Sequence, residues 1–203
     1  MSIFLILLAA GESKRLKSSV PKPYITVNNR KLLEHTLDSF QNFSAIKKTV
    51  IVYNKKHKKY INKINPKNTL KISGGKNRQE STFRALDKIK KMNCKKVLIH
   101  DAARPIPSKK IIDEIIKKLR TNHAVVPIIK VNDATKRVNK KIIFKNIKRN
   151  SLRFSQTPQG FTYKKIYEKH KKNMNTSIDD DSALFTNDGK KVICINGSKT
   201  NLK

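Results

Sequence analysis

Residues 3–23 read IFLILLAAGESKRLKSSVPKP. Six apolar residues run into two alanines and a glycine, and four basic side chains follow: Lys14, Arg15, Lys17 and Lys22. The stretch allows three readings: a secretory signal, a basic nucleic-acid patch, or a buried strand that exits into a phosphate-holding loop. A signal peptide places its basic residues before the apolar run, and here they come after it. The run is also far too short to span a bilayer. IFLILLAAG therefore reads as a buried strand entering a turn.

Working outward, the same kind of short apolar run recurs. Strands are expected at 2–8, 49–53, 70–72, 96–100, 124–129 and 191–195, and their continuous β-branched character suits a parallel sheet buried on both faces. Helical periodicity fills the intervals. Residues 30–41 align Leu32, Leu33, Thr36, Leu37 and Phe40. Residues 78–92 align Phe83, Leu86, Ile89 and Met92. Residues 108–120 begin at the N-cap candidate Ser108 and align Ile111, Ile112, Ile115, Ile116 and Leu119. Further helices are expected at 162–172 and 180–187. The fold class is thus α/β, with an open, mostly parallel twisted sheet and helices on both faces. The order breaks at 131–157, where β-like pieces without helical period predict an inserted β-arm. Such an arm is a natural place for a second subunit to pair.

The chain of 203 residues carries 47 basic and 14 acidic residues, a formal net charge of +33, with 37% hydrophobic residues. That apolar content supports a globular core, so disorder is not the default. The lysines are spread along the whole chain and read as solvated faces more readily than as a polyanion patch. Cys94 and Cys194 are isolated, with no zinc-ligand spacing and no disulfide framework, which fits a reducing cytoplasm.

In an open α/β sheet, ligands bind beyond the carboxyl ends of the strands. Sorting the sequence by that rule collects Ala9, Ala10 and Gly11 with the basic loop, then 73–78 (SGGKNR), 101–105 (DAARP), 133–137 (DATKR) and 196–199 (NGSK). Small residues let backbone N–H groups approach an anion, and basic side chains neutralise it. Asp101, at a strand end, suits Mg²⁺ bridging phosphate oxygens. The first loop lacks both the GxGxxG and the GxxxxGK[ST] patterns, which disfavours hydride transfer and P-loop hydrolysis. Phosphoryl or nucleotidyl transfer remains.

Taken in order, LAAGESKRLKSSVPKPY, GGKNRQES, HDAARP, DATKRV, RNSLRFSQTPQGF and DDDSALF resemble the 2-C-methyl-D-erythritol 4-phosphate cytidylyltransferases, over essentially the whole chain. The resemblance implies a Rossmann-like nucleotidyltransferase fold, CTP and a sugar-alcohol phosphate as substrates, Mg²⁺ as cofactor, pyrophosphate as product, and a cytoplasmic homodimer formed through the 131–157 arm. No membrane and no specific nucleic acid is implied. It assigns Arg15, Lys22 and Lys203 to catalysis. Ala9, Ala10, Gly11, Gly75, Arg78, Ser81 and Ala102 are assigned to CTP. Arg104, Thr135, Arg149, Thr157 and Asp179 are assigned to the sugar phosphate, and Asp101 to the metal.

Departures from the family pattern stand beside these matches. Ala134 occupies the usual position of a threonine, Ile178 replaces another threonine, and Lys76 follows the two glycines. Relatives also continue past the position of Lys203, which is consistent with a single cytidylyltransferase domain over 1–203 that is truncated or forms the front half of a fusion with the next cyclase of the pathway. Three alternatives stay open on the sequence: a sister enzyme acting on ribitol 5-phosphate, a basic nucleic-acid-binding module, and an inactive scaffold. The nucleic-acid module is disfavoured by the absence of Trp and by the scarcity of aromatic residues in the loops. No His/Asp/Ser arrangement suggests a general base. His100 reads as structural, because strand alternation turns it away from Asp101.

Overall fold

The computed structural model describes residues 1–12, 18–174, 176, 178 and 180–203. Arg15 and Asp179, both assigned roles by the resemblance, lie outside the described residues.

The opening run is β1 (Ile3–Ala9). Its alternate residues serve two cores. Ile3, Leu5, Leu7 and Ala9 join one cluster, and Phe4 and Ile6 join the other. A strand covered on both sides has no polar face, which is why the run is continuous. Two short strands, β2 (Thr26–Val27) and β3 (Arg30–Lys31), pair with each other before α1 (Leu32–Gln41). Then follow β4 (Ile46–Tyr53), the short α2 (Lys58–Ile61), β5 (Thr69–Ser73), α3 (Arg78–Lys88), β6 (Lys96–Asp101), α4 (Lys109–Lys118) and β7 (Ala124–Lys130). The arm supplies β8 (Thr135–Asn139), β9 (Ile142–Ile147) and β10 (Arg153–Ser155). The chain returns through β11 (Gln159–Thr162), α5 (Tyr163–Lys172), α6 (Ala183–Thr186) and β12 (Ile193–Asn196).

The main sheet has eight strands in the order β10-β7-β11-β6-β1-β4-β5, with β12 also pairing β7. The β5, β4, β1 and β6 contacts are parallel, as is β7 with β12. Strands β10 and β11 run antiparallel to their neighbours. Helices α1 and α4 cover one face, where Leu33, Phe40, Ile111, Ile112 and Ile115 are buried. Helices α3, α5 and α6 cover the other, where Leu86, Ile166 and Phe185 are buried.

Most expected elements are present, and the departures have local causes. Helix α3 stops at Lys88, because Ile89 already leaves helical geometry, and it does not extend to 92. Phe83, expected in its buried face, is half-exposed and stacks on Tyr167 at 5.8 Å, while Thr82, Ala85 and Leu86 are fully buried. The helix expected at 180–187 shrinks to Ala183–Thr186, because Asp180 caps it, accepting from the backbone N–H groups of Ser182 and Ala183. Ser108 caps α4, accepting from Ile111 N at 3.3 Å. Strand β11 was not expected: four residues beside a proline are too short to give a period. Both cysteines are free, Cys94 buried and Cys194 exposed.

The register sets up the site. Leu8 pairs with Asp101, Ala9 with Tyr53, and Tyr53 with Ser73. The carboxyl ends of β1, β4, β5 and β6 therefore finish level, and the loops that follow them meet at one edge.

Candidate active site

A cleft of about 600 Å³ opens at that edge, lined by Gly11 and Lys22 from the first loop, Gly75 and Arg78 from the β5–α3 loop, Asp101 from β6 and Lys203 from the last segment. Leu8, Ala10, Glu12, Pro23, Asn54, Lys76, Asn77, Ser81 and Ala103 complete the wall.

The β5–α3 loop is shaped by its own glycines and by side chains of α3. Gly74 approaches β1 so closely that a Cβ there would lie 2.6 Å from Ala10 Cβ and 2.9 Å from Ser81 Oγ. A Cβ on Gly75 would run into the Glu80 side chain. Ser81 is buried. Its hydroxyl donates to Asn77 O at 2.8 Å and accepts from Gly75 N at 3.0 Å. Glu80 accepts from Lys76 N at 2.6 Å and pairs with Arg84 at 2.7 Å, and these two contacts hold its carboxyl below the usual carboxylate range. Asn77 caps the helix, accepting from Glu80 N. The first turn of α3 thus faces the cleft at a fixed angle, with its amino-terminal dipole toward any anion there.

The acidic centre is Asp101, whose side chain is 11% exposed. Its Oδ2 lies 3.0 Å from Lys203 Nζ and 3.2 Å from Arg104 Nε. Burial works to raise its pKa, but Lys203 and Arg78 outweigh that and hold the group ionised below its ordinary range. The backbone N–H of Asp101 donates to Thr157 Oγ1 at 3.1 Å. The terminal segment is sewn down alongside. Asn201 Nδ2 donates to Thr157 O at 2.7 Å, Arg104 Nη1 donates to Asn201 O at 2.8 Å, and Gln156 Nε2 donates to Ser198 O at 2.8 Å. These bonds deliver Lys203 to the cleft. His100 is fully buried, with Nε2 2.9 Å from Arg104 O and its ring 5.0 Å from Phe40; burial lowers its pKa to about 4. It supports the loop from behind, as strand alternation predicts.

Beneath the cleft, Arg78 Nη1 lies 2.6 Å from Asp181 Oδ2, and Asp181 Oδ1 lies 3.0 Å from His170 Nε2. Asp181 and His170 are completely buried. Burial works to raise the Asp181 pKa, but Arg78 and His170 prevail and hold it at about 2.

Of the residues assigned from the sequence, Lys22, Lys203, Ala10, Gly11, Gly75, Arg78, Ser81 and Asp101 meet in this cleft. Six others lie outside its lining. Ala9 is fully buried and packs into the core. Ala102 is fully buried, its N–H given to Leu8 O and its carbonyl to Thr36 Oγ1, so Ala103 takes its place on the wall. Arg104 and Thr157 brace Asp101 and Asn201 from behind the wall. Thr135 and Arg149 lie on the arm. There Thr135 Oγ1 reaches Asp133 O at 3.5 Å, and Arg149 donates to Asn132 O at 2.6 Å. Ile178 packs against the α3–α5 core, which explains an apolar residue where the family pattern has threonine. Asn54 was missed, although it follows β4 directly and the strand-end rule reaches it. Asp181 and His170 carried no signal, because their partner is far away in sequence.

The family model described as "IspD: 2-C-methyl-D-erythritol 4-phosphate cytidylyltransferase" matches residues 3–203. The chain belongs to this family. Among curated relatives, it is 43% identical to a bifunctional enzyme IspD/IspF of Pelagibacter ubique, covering 100% of this chain and 54% of that one. It is 37% identical to a 2-C-methyl-D-erythritol 4-phosphate cytidylyltransferase of Clostridioides difficile, covering 98% and 86%. This IspD-family chain therefore spans about half the length of the bifunctional relative. Among solved structures, it superposes on the 4-diphosphocytidyl-2C-methyl-D-erythritol synthase of Anaerococcus prevotii with a TM-score of 0.84 at 31% identity, covering 100% and 89%. On the bifunctional IspDF of Campylobacter jejuni the TM-score is 0.86 at 28% identity, covering 100% and 52%.

Proposed function

We propose that the cleft transfers a cytidylyl group from CTP to 2-C-methyl-D-erythritol 4-phosphate, giving 4-diphosphocytidyl-2-C-methyl-D-erythritol and pyrophosphate. The observation that carries this reading is the meeting of Gly11, Lys22, Gly75, Arg78, Asp101 and Lys203, from four separate segments, in one cleft of a family member. A phosphate oxygen of the acceptor attacks the α-phosphorus of CTP in line as the bond to the pyrophosphate oxygen breaks. The nucleophile is already ionised at neutral pH, so no general base is required. Both reactants are polyanions, so the work is positioning and charge neutralisation. Lys22 and Lys203, from different segments of the cleft wall, act on the phosphates, and the family resemblance adds Arg15. Gly11, Gly75 and Ser81 shape the walls around the nucleotide, and Arg78 reaches it from the first turn of α3.

The donor set suits Mg²⁺. Among the described residues no cluster of three or more His, Cys, Asp or Glu side chains exists. Mg²⁺ typically takes one or two carboxylates and fills its shell with water and substrate phosphates. Asp101 offers one such carboxylate, kept ionised by its neighbours. When bound there, the ion would neutralise charge on the phosphate oxygens.

The reading extends to assembly and place. The β-arm pairs two copies, bringing Thr135 and Arg149 toward the acceptor phosphate. Its basis is the exposed apolar surface of β9. The bifunctional relatives support a cyclase fused to, or associated with, this unit. Free cysteines and nucleotide chemistry fit the cytoplasm; among the described residues no helix is long and apolar enough to cross a membrane.

The test is pyrophosphate release with CTP, ATP, GTP and UTP, each offered methylerythritol phosphate and ribitol 5-phosphate. Turnover with CTP and methylerythritol phosphate alone is expected. Preference for ribitol phosphate or for another nucleotide would overturn the assignment.

A further inference from the structure

Arg78 joins the cleft to the protein interior. Its side chain is 25% exposed and lines the cleft on one side. On the other it meets Asp181, from the turn before α6, and Asp181 meets His170 of α5. Both partners are wholly buried. Replacing a buried ion pair with well-packed apolar side chains is often neutral or stabilising, so stability alone is weak grounds for this arrangement. What the arrangement does is fix a flexible cation. Arginine is a planar fork, and holding one edge aims the others. A second carboxylate competes for it: Asp101 lines the same cleft and its charge acts on Arg78 as well. Released from Asp181, the guanidinium would still feel Asp180 and Asp101, and of these Asp101 lines the cleft, where the guanidinium would crowd Lys203 and the metal site.

We propose that Asp181, oriented by the Nε2–H of His170, is a positioning residue that holds the Arg78 guanidinium toward the nucleotide and away from Asp101. Neither Asp181 nor His170 touches substrate. The proposal rests on the reading of this cleft as the CTP site.

The experiment measures kcat, both KM values, CTP affinity by calorimetry without acceptor, and Tm. Asp181→Asn keeps the shape and removes the charge. It is expected to raise KM and Kd for CTP about tenfold, while KM for methylerythritol phosphate stays within about twofold and kcat is little changed, the pattern of lost uniform binding. His170→Leu moves CTP affinity in the same direction, and His170→Gln, which keeps a donor, restores most of it. Arg78→Ala raises KM for CTP at least as much, and adding Asp181→Asn to Arg78→Ala costs nothing more, because the two act as one unit. A lower Tm for Asp181→Asn with unchanged CTP affinity, while Arg78→Ala loses affinity, would show a structural role only and overturn the proposal. Unchanged CTP affinity in Arg78→Ala itself would instead overturn the placement of the nucleotide, and the positioning role with it. Should Asp181→Asn fail to fold, the His170→Leu and His170→Gln pair decides by the same criteria.

Discussion

The cleft edge of the sheet and the β8–β9 hairpin share one excess of lysine and arginine but handle it in opposite ways. The whole chain has only 14 acidic residues against 47 basic ones. At the cleft, acids are nevertheless found where they are needed. Lys203 and Arg104 meet Asp101, Arg78 meets Asp181, and Arg84 meets Glu80. From Thr135 to Ser155 the arm has eight basic residues and no acidic one. Its cations turn to neutral oxygens, Lys136 to Asn146 Oδ1 and Arg149 to Asn132 O. Meanwhile Ile142 is 71% exposed and Phe144 57%. At the cleft, Arg78 and Lys203 are held by buried acids even though cations outnumber acids along its lining. The hairpin is balanced neither in charge nor in apolar burial, and an isolated two-stranded hairpin is marginal by itself. Charge count says little about which lysines matter; the company each keeps says more.

The largest expected effect sets one lysine against another across this divide. Lys22→Ala should lower kcat by about 10²–10³-fold, since one preorganised donor to a developing charge contributes ~3–4 kcal/mol. Lys140→Ala and Lys141→Ala, in the hairpin turn, should leave turnover unchanged. Steady-state pyrophosphate release on the three variants, with circular dichroism to confirm folding, checks the contrast. Equal losses in cleft and hairpin variants would erase it.

Next in size is the response of the cleft's support to acid. The folded pKa of His100, about 4, lies below the ordinary 6.5 because burial disfavours the charged ring. Above pH 6.5 the ring is neutral in both folded and unfolded chains, and it costs nothing. As pH falls below 6.5 the unfolded chain binds the proton and the folded one does not, so stability drops until about pH 4. The gap corresponds to about 3 kcal/mol. Asp181, held at about 2 against an ordinary 3.8, adds a further loss as pH falls from 3.8 toward 2. Denaturant unfolding across pH 4–8 should show the first slope, and His100→Gln should flatten it. An unaltered slope in that variant would place the acid sensitivity elsewhere.

A smaller effect concerns Thr157, whose hydroxyl accepts from the Asp101 N–H. Thr157→Val keeps the shape and leaves that buried donor without a partner, at a cost of about 1–3 kcal/mol. Thr157→Ser should recover most of it. Urea midpoints for the three proteins measure this. A Thr157→Val midpoint equal to that of the parent would mean that Asp101 is held by its ion pairs alone.

The same contrast explains what the sequence could and could not reveal. IFLILL announces a strand because both of its faces are buried, and the alternation of such runs with helical periods fixes the layers. Level strand ends then place Gly11, Lys22, Gly75, Arg78 and Asp101 together without any contact being known. Lys203 was reachable only by resemblance, since its place depends on bonds from Asn201 and Ser198 to residues some forty positions earlier. Ala9 and Ala102 are assigned to the nucleotide by the resemblance; the structure buries both, and burial at a strand end turns on a single residue of register. Asp181 reads as one acid in an acidic triplet, and its role depends on Arg78 of α3, about a hundred residues earlier. Lone partnerships across long separations leave no period and no motif. The arm was legible as an interruption of helical pattern, because losing a period is itself visible.

The smallest expected effect on stability tests the hairpin's half of the comparison. Ile142 and Phe144 contribute little to the chain's own core, so Ile142→Ser with Phe144→Ser should change the unfolding free energy of the separated chain by no more than ~0.5 kcal/mol, as for ordinary surface substitutions. If the arm pairs two copies, the same change removes apolar area from that interface on both sides at once, and sedimentation should show the parent as a dimer and the variant as a monomer. CTP affinity should survive, because the cleft proposed for the nucleotide is built from strand ends of one chain. KM for methylerythritol phosphate should rise if, as proposed, Thr135 and Arg149 reach the acceptor through the paired arm. A variant that stays dimeric, or that loses CTP and acceptor affinity together, would show the hairpin and the cleft to be less separable than their charge and burial make them.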